Sequence, residues 1–343
     1  MAGEQAAETN FEFVGSGGEY FRIWIVNLLL TVLTLGIYSA WAKVRREQYF
    51  HRNTLLAGSG FDYHGKPGAI LKGRLIAWGA VVVLTLAQKF SIGLYGILVL
   101  VALPFLPWLL LRSIKFRAGN TSYRGLRFRH RGSYREALVA FIGHGLLTVV
   151  TLGLWMPLWM RAMKRFQLGR LSFGATDFEC APRAGGFYGA YFLAGLLLIL
   201  PGVAAAVIIP MVSAAKGGMA MAGYMMLGAV PLVLFLAFML LIRPLLEVRL
   251  ANLTWNATSL GGRRFVSTQS LRTYVPVLAV NLLLTVLTLG LYWPWAKVRV
   301  AAYRLSHLAF DGTDLDASVA AAEAQTSAIG EEIADVFDLD IAL

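Results

Sequence analysis

Apolar positions along the chain are gathered into blocks. Four stand out: LIAWGAVVVLTLA from Leu75, LYGILVLVALPFLPWLLL from Leu94, FLAGLLLILPGVAAAVIIPMV from Phe192 and YMMLGAVPLVLFLAFMLLI from Tyr224. Three approach the ~20 residues that cross a bilayer core. The first is shorter, with Lys72, Arg74 and Lys89 beside it to snorkel. The blocks pair into two hydrophobic hairpins, at residues 73–111 and 187–243.

A second kind of apolar segment recurs outside these hairpins. NLLLTVLTLGIYSAWAKVR from Asn27 returns as NLLLTVLTLGLYWPWAKVR from Asn281, changed only at Ile37/Leu291, Ser39/Trp293 and Ala40/Pro294. A more diverged copy, HGLLTVVTLGLWMPLWMRAMKR, starts at His144. The common core is T-x-x-T-L-G-[IL]-[YW], so one structural unit is present three times. Within each copy an apolar helix is expected to lead to a break at Gly36, Gly153 or Gly290, where a positive φ suits glycine. A second, basic helix follows, with Trp41, Lys43 and Arg45 in the first copy, Trp159 in the middle one, and Trp295, Lys297 and Arg299 in the third. These are the residue types of a membrane–water interface.

Polar residues run up the first helix of each copy at i, i+4 and i+7, a spacing that shares one face. The stripes are Asn27, Thr31 and Thr34; His144, Thr148 and Thr151; and Asn281, Thr285 and Thr288. Hydrogen-bond glue or back-bonding of Thr to its own helix is the favoured reading. The sharper one is three seams facing a shared polar pathway.

The order is copy, hairpin, copy, hairpin, copy. The boundaries are a tail at 1–10, repeats at 11–72, 112–186 and 244–312 around the two hairpins, and an acidic C-terminal tail at 313–343. Basic residues cluster in 43–74, 112–135, 161–183 and 243–272, whereas the hairpin tips carry only Lys89 and Lys216. The positive-inside bias puts the tips outside and the basic loops, with both termini, in the cytoplasm. The middle and last copies would then enter and leave on one side. Each of the three copies is therefore expected to dip into the membrane and return, giving four full spans plus three dipping units; seven full spans is the alternative. The basic loops carry short β-prone runs with Gly and Asn turns, expected to pair as small cytoplasmic hairpins together with FEFVG at Phe11. The expected fold is thus an all-α polytopic membrane protein with three internal repeats, two transmembrane hairpins and short β-hairpins.

Composition sharpens this. Of the 343 residues 57% are hydrophobic, above the roughly 45–50% of a soluble domain. The net charge of +12 hides a split: nine acids and no base from Asp311 onward, and all 31 bases between residues 21 and 310. Those bases flank apolar segments, so the lipid bilayer and its anionic headgroups are the expected partners, not nucleic acid. The first twenty residues are acidic, the reverse of a signal peptide's n-region. The single Cys180 excludes an internal disulfide.

FEFVGSGGEYFRIWIVNLLLTVLTLGIYSAWAKVRREQYFHRNTLLAGSGFDYHG resembles the YjgN-like family of bacterial inner-membrane proteins, a domain of unknown function. The T-L-G-[IL]-Y-x-x-W-A-K-V-R core and the R-N-T…F-x-Y-x-G that follows carry the resemblance, which covers about residues 11–312. It implies a polytopic inner-membrane protein and brings no activity or catalytic residue. The middle copy lacks the A-K-V-R.

No catalytic arrangement or cofactor motif is discernible. His51, Asp62, His64, Asp177, Glu179, Cys180, His307, Asp311 and Asp314 are dispersed without metal-ligand spacing, so no metal site is expected. KGGMAMAGYMML from Lys216 reads as packing rather than as a copper site. Two function classes stay open: a transport or channel-like protein, and a membrane scaffold or lipid-contacting protein. An enzyme ranks third.

Overall fold

The computed structural model describes residues 8–214, 236 and 238–311. The hairpin tip near Lys216, the Met-rich segment that follows it and the acidic tail lie outside the described residues. Ten strands form one closed antiparallel barrel. They are β1 (Glu8–Phe13), β2 (Thr54–Leu56), β3 (Ser59–Tyr63), β4 (Thr121–Tyr123), β5 (Leu126–His130), β6 (Leu171–Phe173), β7 (Thr176–Cys180), β8 (Thr258–Leu260), β9 (Arg263–Ser267) and β10 (Leu308–Asp311). The expected all-α architecture is therefore corrected. The loop hairpins are not accessories to a helix bundle; they pair with one another until the sheet closes. The physical reason is that a hairpin of three- and five-residue strands is marginal alone and leaves edges, and closure removes every edge.

Four hairpins are consecutive in the chain, and the fifth is made by the two ends. Strand β1 pairs through Glu8–Asn10 with β10 and through Phe11–Phe13 with β2. Tight turns set the hairpin register. Ala57–Gly58, Arg124–Gly125 and Gly261–Gly262 each hold two successive positive φ angles, the requirement of a type I′ turn. At the other end of the barrel one backbone bond recurs five times. Val14, His64, Arg131, Ala181 and Thr268 donate to the carbonyls of Asn53, Asn120, Arg170, Ala257 and His307, at 2.7–3.0 Å.

Among the described residues, the helical segments leave from and return to that second end. They are α1 (Gly17–Leu33), α2 (Ser39–Arg52), α3 (Pro67–Phe90), α4 (Ile92–Ala102), α5 (Phe105–Gly119), α6 (Tyr134–Leu138), α7 (His144–Val150), α8 (Met156–Leu168), α9 (Ala184–Ala214), α10 (Arg243–Trp255), α11 (Leu271–Leu287) and α12 (Trp293–Ser306); a π-turn, Val139–Gly143, joins α6 to α7. Each unit runs strand, outgoing helix, returning helix, strand. Neighbouring units pack through α2 on α3, α5 on α6, α8 on α9, α10 on α11 and α12 on α1, so the helices also close into a ring. Among the described residues only α3 is by itself long and apolar enough to cross a membrane; α4 and α5 together make a second such segment, bent by 44°.

The three TLG copies end their first helices identically. Gly36, Gly153 and Gly290 donate to the carbonyls of Thr31, Thr148 and Thr285 at 2.7 Å, and Leu35, Leu152 and Leu289 to Val32, Val149 and Val286 at 3.1 Å. This is a Schellman cap. The residue in the left-handed cap position is the leucine, at φ 50–51°, and the glycine follows at φ 92–94°. Leucine is a costly choice there, at ~1–2 kcal/mol.

Candidate functional site: an aromatic ring on the barrel axis

Each odd-numbered strand sends one phenylalanine to the barrel axis: Phe11, Phe61, Phe128, Phe178 and Phe265. Around the ring their centroids are separated by 6.4, 6.3, 6.3, 5.9 and 6.5 Å, so the pentagon closes. The even strands contribute the next layer, Leu56, Tyr123, Phe173, Leu260 and Phe310. Tyr123 reaches across to donate its hydroxyl to the Leu56 carbonyl at 2.6 Å. The outer wall is polar, with Glu12, Asp62, Arg127, Arg129, Asp177, Glu179 and Arg264 exposed. Strand alternation explains both faces.

The lumen is not filled. It holds a cavity of about 260 Å³ lined by the two aromatic layers, Leu168, Trp255 and Leu305, and no polar atom faces into it. On the helix side of the ring lies a second cavity of about 510 Å³, sharing Phe11, Phe61, Phe128 and Leu171 with the first. Its helix-end wall adds Phe50, His51, Ile114, Arg117 and Gln167, and its strand wall Thr54 and Thr121. The Nδ1 of His51 lies 2.7 Å from the Glu47 carbonyl, which leaves Nε2 unengaged.

The returning helices α2, α8 and α12 are basic. Lys43, Lys164 and Lys297 are all pushed below the ordinary lysine pKa, first by burial, then by Arg74 at Lys43, Arg304 at Lys164 and Arg46 at Lys297. One carboxylate balances part of this charge: Glu247 accepts from the Tyr274 hydroxyl at 2.6 Å, Arg243 at 2.8 Å and Arg304 at 2.9 Å. Burial works against its charge, and these bonds outweigh burial, so its pKa lies below the usual range. At the barrel rim, Gly132 N–H donates to Nδ1 of His130 at 3.3 Å, and Nε2 then donates to the Phe166 carbonyl at 3.0 Å.

The residues singled out from the sequence lie on the three TLG hairpins, away from the barrel. Thr31, Thr34, Thr148, Thr151 and Thr288 donate to carbonyls one turn back in their own helices, at 2.6–2.9 Å. Thr34, Thr151 and Thr288 also accept from the backbone of Tyr38, Trp155 and Tyr292 at 2.9–3.0 Å, tying the first helix to the second. Thr285 contributes its carbonyl to the Gly290 cap. His144 Nδ1 accepts from the Trp155 indole at 3.0 Å. Asn27 and Asn281 are buried, and Asn281 donates to the Ala296 carbonyl at 3.4 Å. Arg45 donates to the Tyr38 hydroxyl at 3.2 Å; Arg299 stacks 5.5 Å over Tyr292 and Lys297 4.8 Å over Trp293. Trp41 stacks on Tyr38 and Trp295 on Phe21, and the Trp159 ring lies against Gly145.

The phenylalanine ring was missed by sequence reasoning. A signal was available: Phe61, Phe128, Phe178 and Phe265 each stand seven residues after the first residue of the preceding strand, Thr54, Thr121, Leu171 and Thr258. A repeat search on the loops, not the helices, would have found it.

Comparison with known proteins agrees with the location read from the sequence. The chain is 26% identical to the inner membrane protein YjgN of Salmonella typhimurium strain LT2, over 89% of this chain and 88% of that one. It is 32% identical to the inner membrane proteins YjgN of Escherichia coli O157:H7 and K12, over 35% of this chain and 30% of theirs. These relatives support the bacterial inner membrane as its location. No solved structure matches. The model of the family described as bacterial protein of unknown function (DUF898) matches residues 8–336, nearly the whole chain, and the chain therefore belongs to that family.

Proposed function

We propose that this inner-membrane protein takes a lipid-like molecule from the bilayer and holds its apolar chain in the barrel lumen, on the cytoplasmic side. The observation that carries this reading is the unfilled lumen of about 260 Å³ without a polar atom in its wall. An apolar cavity of ~150 Å³ already stays dry and admits benzene. An ion crossing the phenylalanine ring would lose hydration with nothing in the wall to replace it, so the transport class favoured here is apolar cargo and not ions.

The arrangement of the helices supports a route. Strands of three to six residues are short of the ~9–11 that span a bilayer, so the barrel sits in water and the helices in lipid. The basic loops argue for the cytoplasmic side, with both termini there. The hairpins holding α3–α5 and α9 cross fully in this reading. The three TLG hairpins end part-way, presenting Leu35, Leu152 and Leu289 at their tips, and leave the vestibule open towards the bilayer core.

The test is photo-crosslinking in nanodiscs with a diazirine-bearing decane. Adducts are expected on the segments around Trp255, Phe265 and Leu308, and Leu260→Trp, which fills the lumen, should remove them while leaving adducts on α3. Adducts confined to the lipid-facing helices would end the lumen reading and leave a membrane scaffold.

A further inference from the structure

We infer that the ligand is a single-chain anionic amphiphile, its chain in the lumen and its anionic head at Arg117. The inference rests on the proposed lumen reading and adds the chemistry of the head. The two cavities meet at Phe11, Phe61 and Phe128, and they differ in kind. The lumen is wholly apolar, whereas the adjoining vestibule of about 510 Å³ brings Arg117, Gln167 and His51 to the same opening. A molecule lying across the phenylalanine ring therefore meets carbon at one end and donors at the other.

The sign of the head follows from what those donors lack. No protein acceptor engages the guanidinium of Arg117 or the amide of Gln167 among the described residues. The Nε2 edge of His51 is likewise unengaged. The carboxylate nearby is committed: Glu47 is paired with Arg46 at 2.8 Å. A carboxylate or phosphate monoester satisfies this set, with Arg117 placed to grip it by two N–H groups. Chain number follows from volume. The lumen is roughly nine times the ~30 Å³ share of one water, space for one alkyl chain and too little for the two of a phospholipid.

Trp255 lines the lumen and gives the readout. The full chain in phosphatidylcholine nanodiscs is titrated with 10-bromodecanoate and with 10-bromodecanol, following quenching that disappears in Trp255→Phe. The acid should quench at least tenfold more tightly than the alcohol. Arg117→Gln should raise the acid's Kd at least tenfold and leave the alcohol's unchanged, with Arg117→Lys in between. Equal Kd values for acid and alcohol, or an acid Kd indifferent to Arg117→Gln, would overturn the anionic head while the lumen reading stands. Absence of quenching by either probe would overturn both. Decyl phosphate as a competitor separates the sources: stronger competition than decanoate assigns the head to a phosphate monoester, and weaker competition to a carboxylate.

Discussion

The three hairpin tips carry the most exposed leucines among the described residues: Leu35 and Leu289 at 95% and Leu152 at 94%. All three adopt left-handed backbone, which costs a leucine ~1–2 kcal/mol relative to glycine. In water, then, Leu→Gly at each tip would stabilise the protein by about 1 kcal/mol. In hydrocarbon the balance reverses, because each buried leucine contributes ~1.5–3 kcal/mol. The geometry gives the depth. At ~1.5 Å per residue, Gly36 lies roughly 10 Å beyond Lys43 and Leu33 roughly 17 Å beyond Arg22, about half of a ~30 Å core. The perturbation is the triple Leu35→Gly, Leu152→Gly, Leu289→Gly. It should lower stability in nanodiscs by about 1.5–6 kcal/mol in total, read as a fall in the thermal midpoint. Placement is checked separately. Cys180 is the only cysteine and is buried, so Leu152→Cys in a Cys180→Ser background reports one site. A charged maleimide should leave it unmodified in membranes and modify Ala57→Cys at a barrel turn. A stabilised triple variant, or a Leu152→Cys labelled as fast as Ala57→Cys, would refute submerged tips.

Two further outcomes follow from local geometry. Thr34→Val removes a hydroxyl that both donates to Leu30 and accepts from Tyr38; it should cost about 1–2 kcal/mol by thermal unfolding, whereas Thr31→Val, which loses only back-bonding, should cost less than half of that, and equal costs would refute the bridging role. His130 has its pKa lowered, first by burial, with Lys115 and Arg170 adding to the fall and the Phe166 bond and Glu136 opposing it; a depressed histidine leaves the unfolded chain binding more protons, so stability should be full above pH ~6.5 and decline as pH falls below it, and His130→Asn should flatten that decline in a series of thermal midpoints.

Much of the helical layer was legible because its chemistry is local. A Thr-x-x-Thr-Leu-Gly string caps itself, with every bond of the cap made within ten residues, so three copies of the string announce three identical turns. The first two hydrophobic blocks, in α3 and in α4–α5, were legible for the same reason: length and composition alone decide whether a helix suits hydrocarbon. What the sequence concealed is the barrel, because its bonds are not local. Phe61 meets Phe128, Phe128 meets Phe178 and Phe265 meets Phe11 across the whole chain. Each strand taken singly is a three- to six-residue run that propensity cannot separate from a loop. The loops were seen to resemble one another and to suit hairpins, and only the closing pair β1–β10 turns resemblance into architecture. The left-handed leucines were hidden in another way: the motif puts a glycine beside them, and glycine is the residue expected to take that strain.

The same closure accounts for where a site can form. A repeat of strand, two helices and strand buries its hairpin only against neighbouring units, so the inward phenylalanines meet only once all five units are in place. Five such side chains at about 6 Å spacing leave their centroids about 5 Å from the axis, too far apart to fill the middle and too apolar to hold water there. The void is thus set by the number of units, and a sixth would widen it further. Unit length varies independently of that number. Lengthening the α3–α5 hairpin changes how far the protein reaches into lipid without touching the lumen, and shortening the TLG hairpins uncovers the vestibule towards the bilayer. A chain built this way separates the apolar helical hairpins from the barrel that encloses the lumen, and Arg117, one turn from its strand on α5, stands where the two parts join.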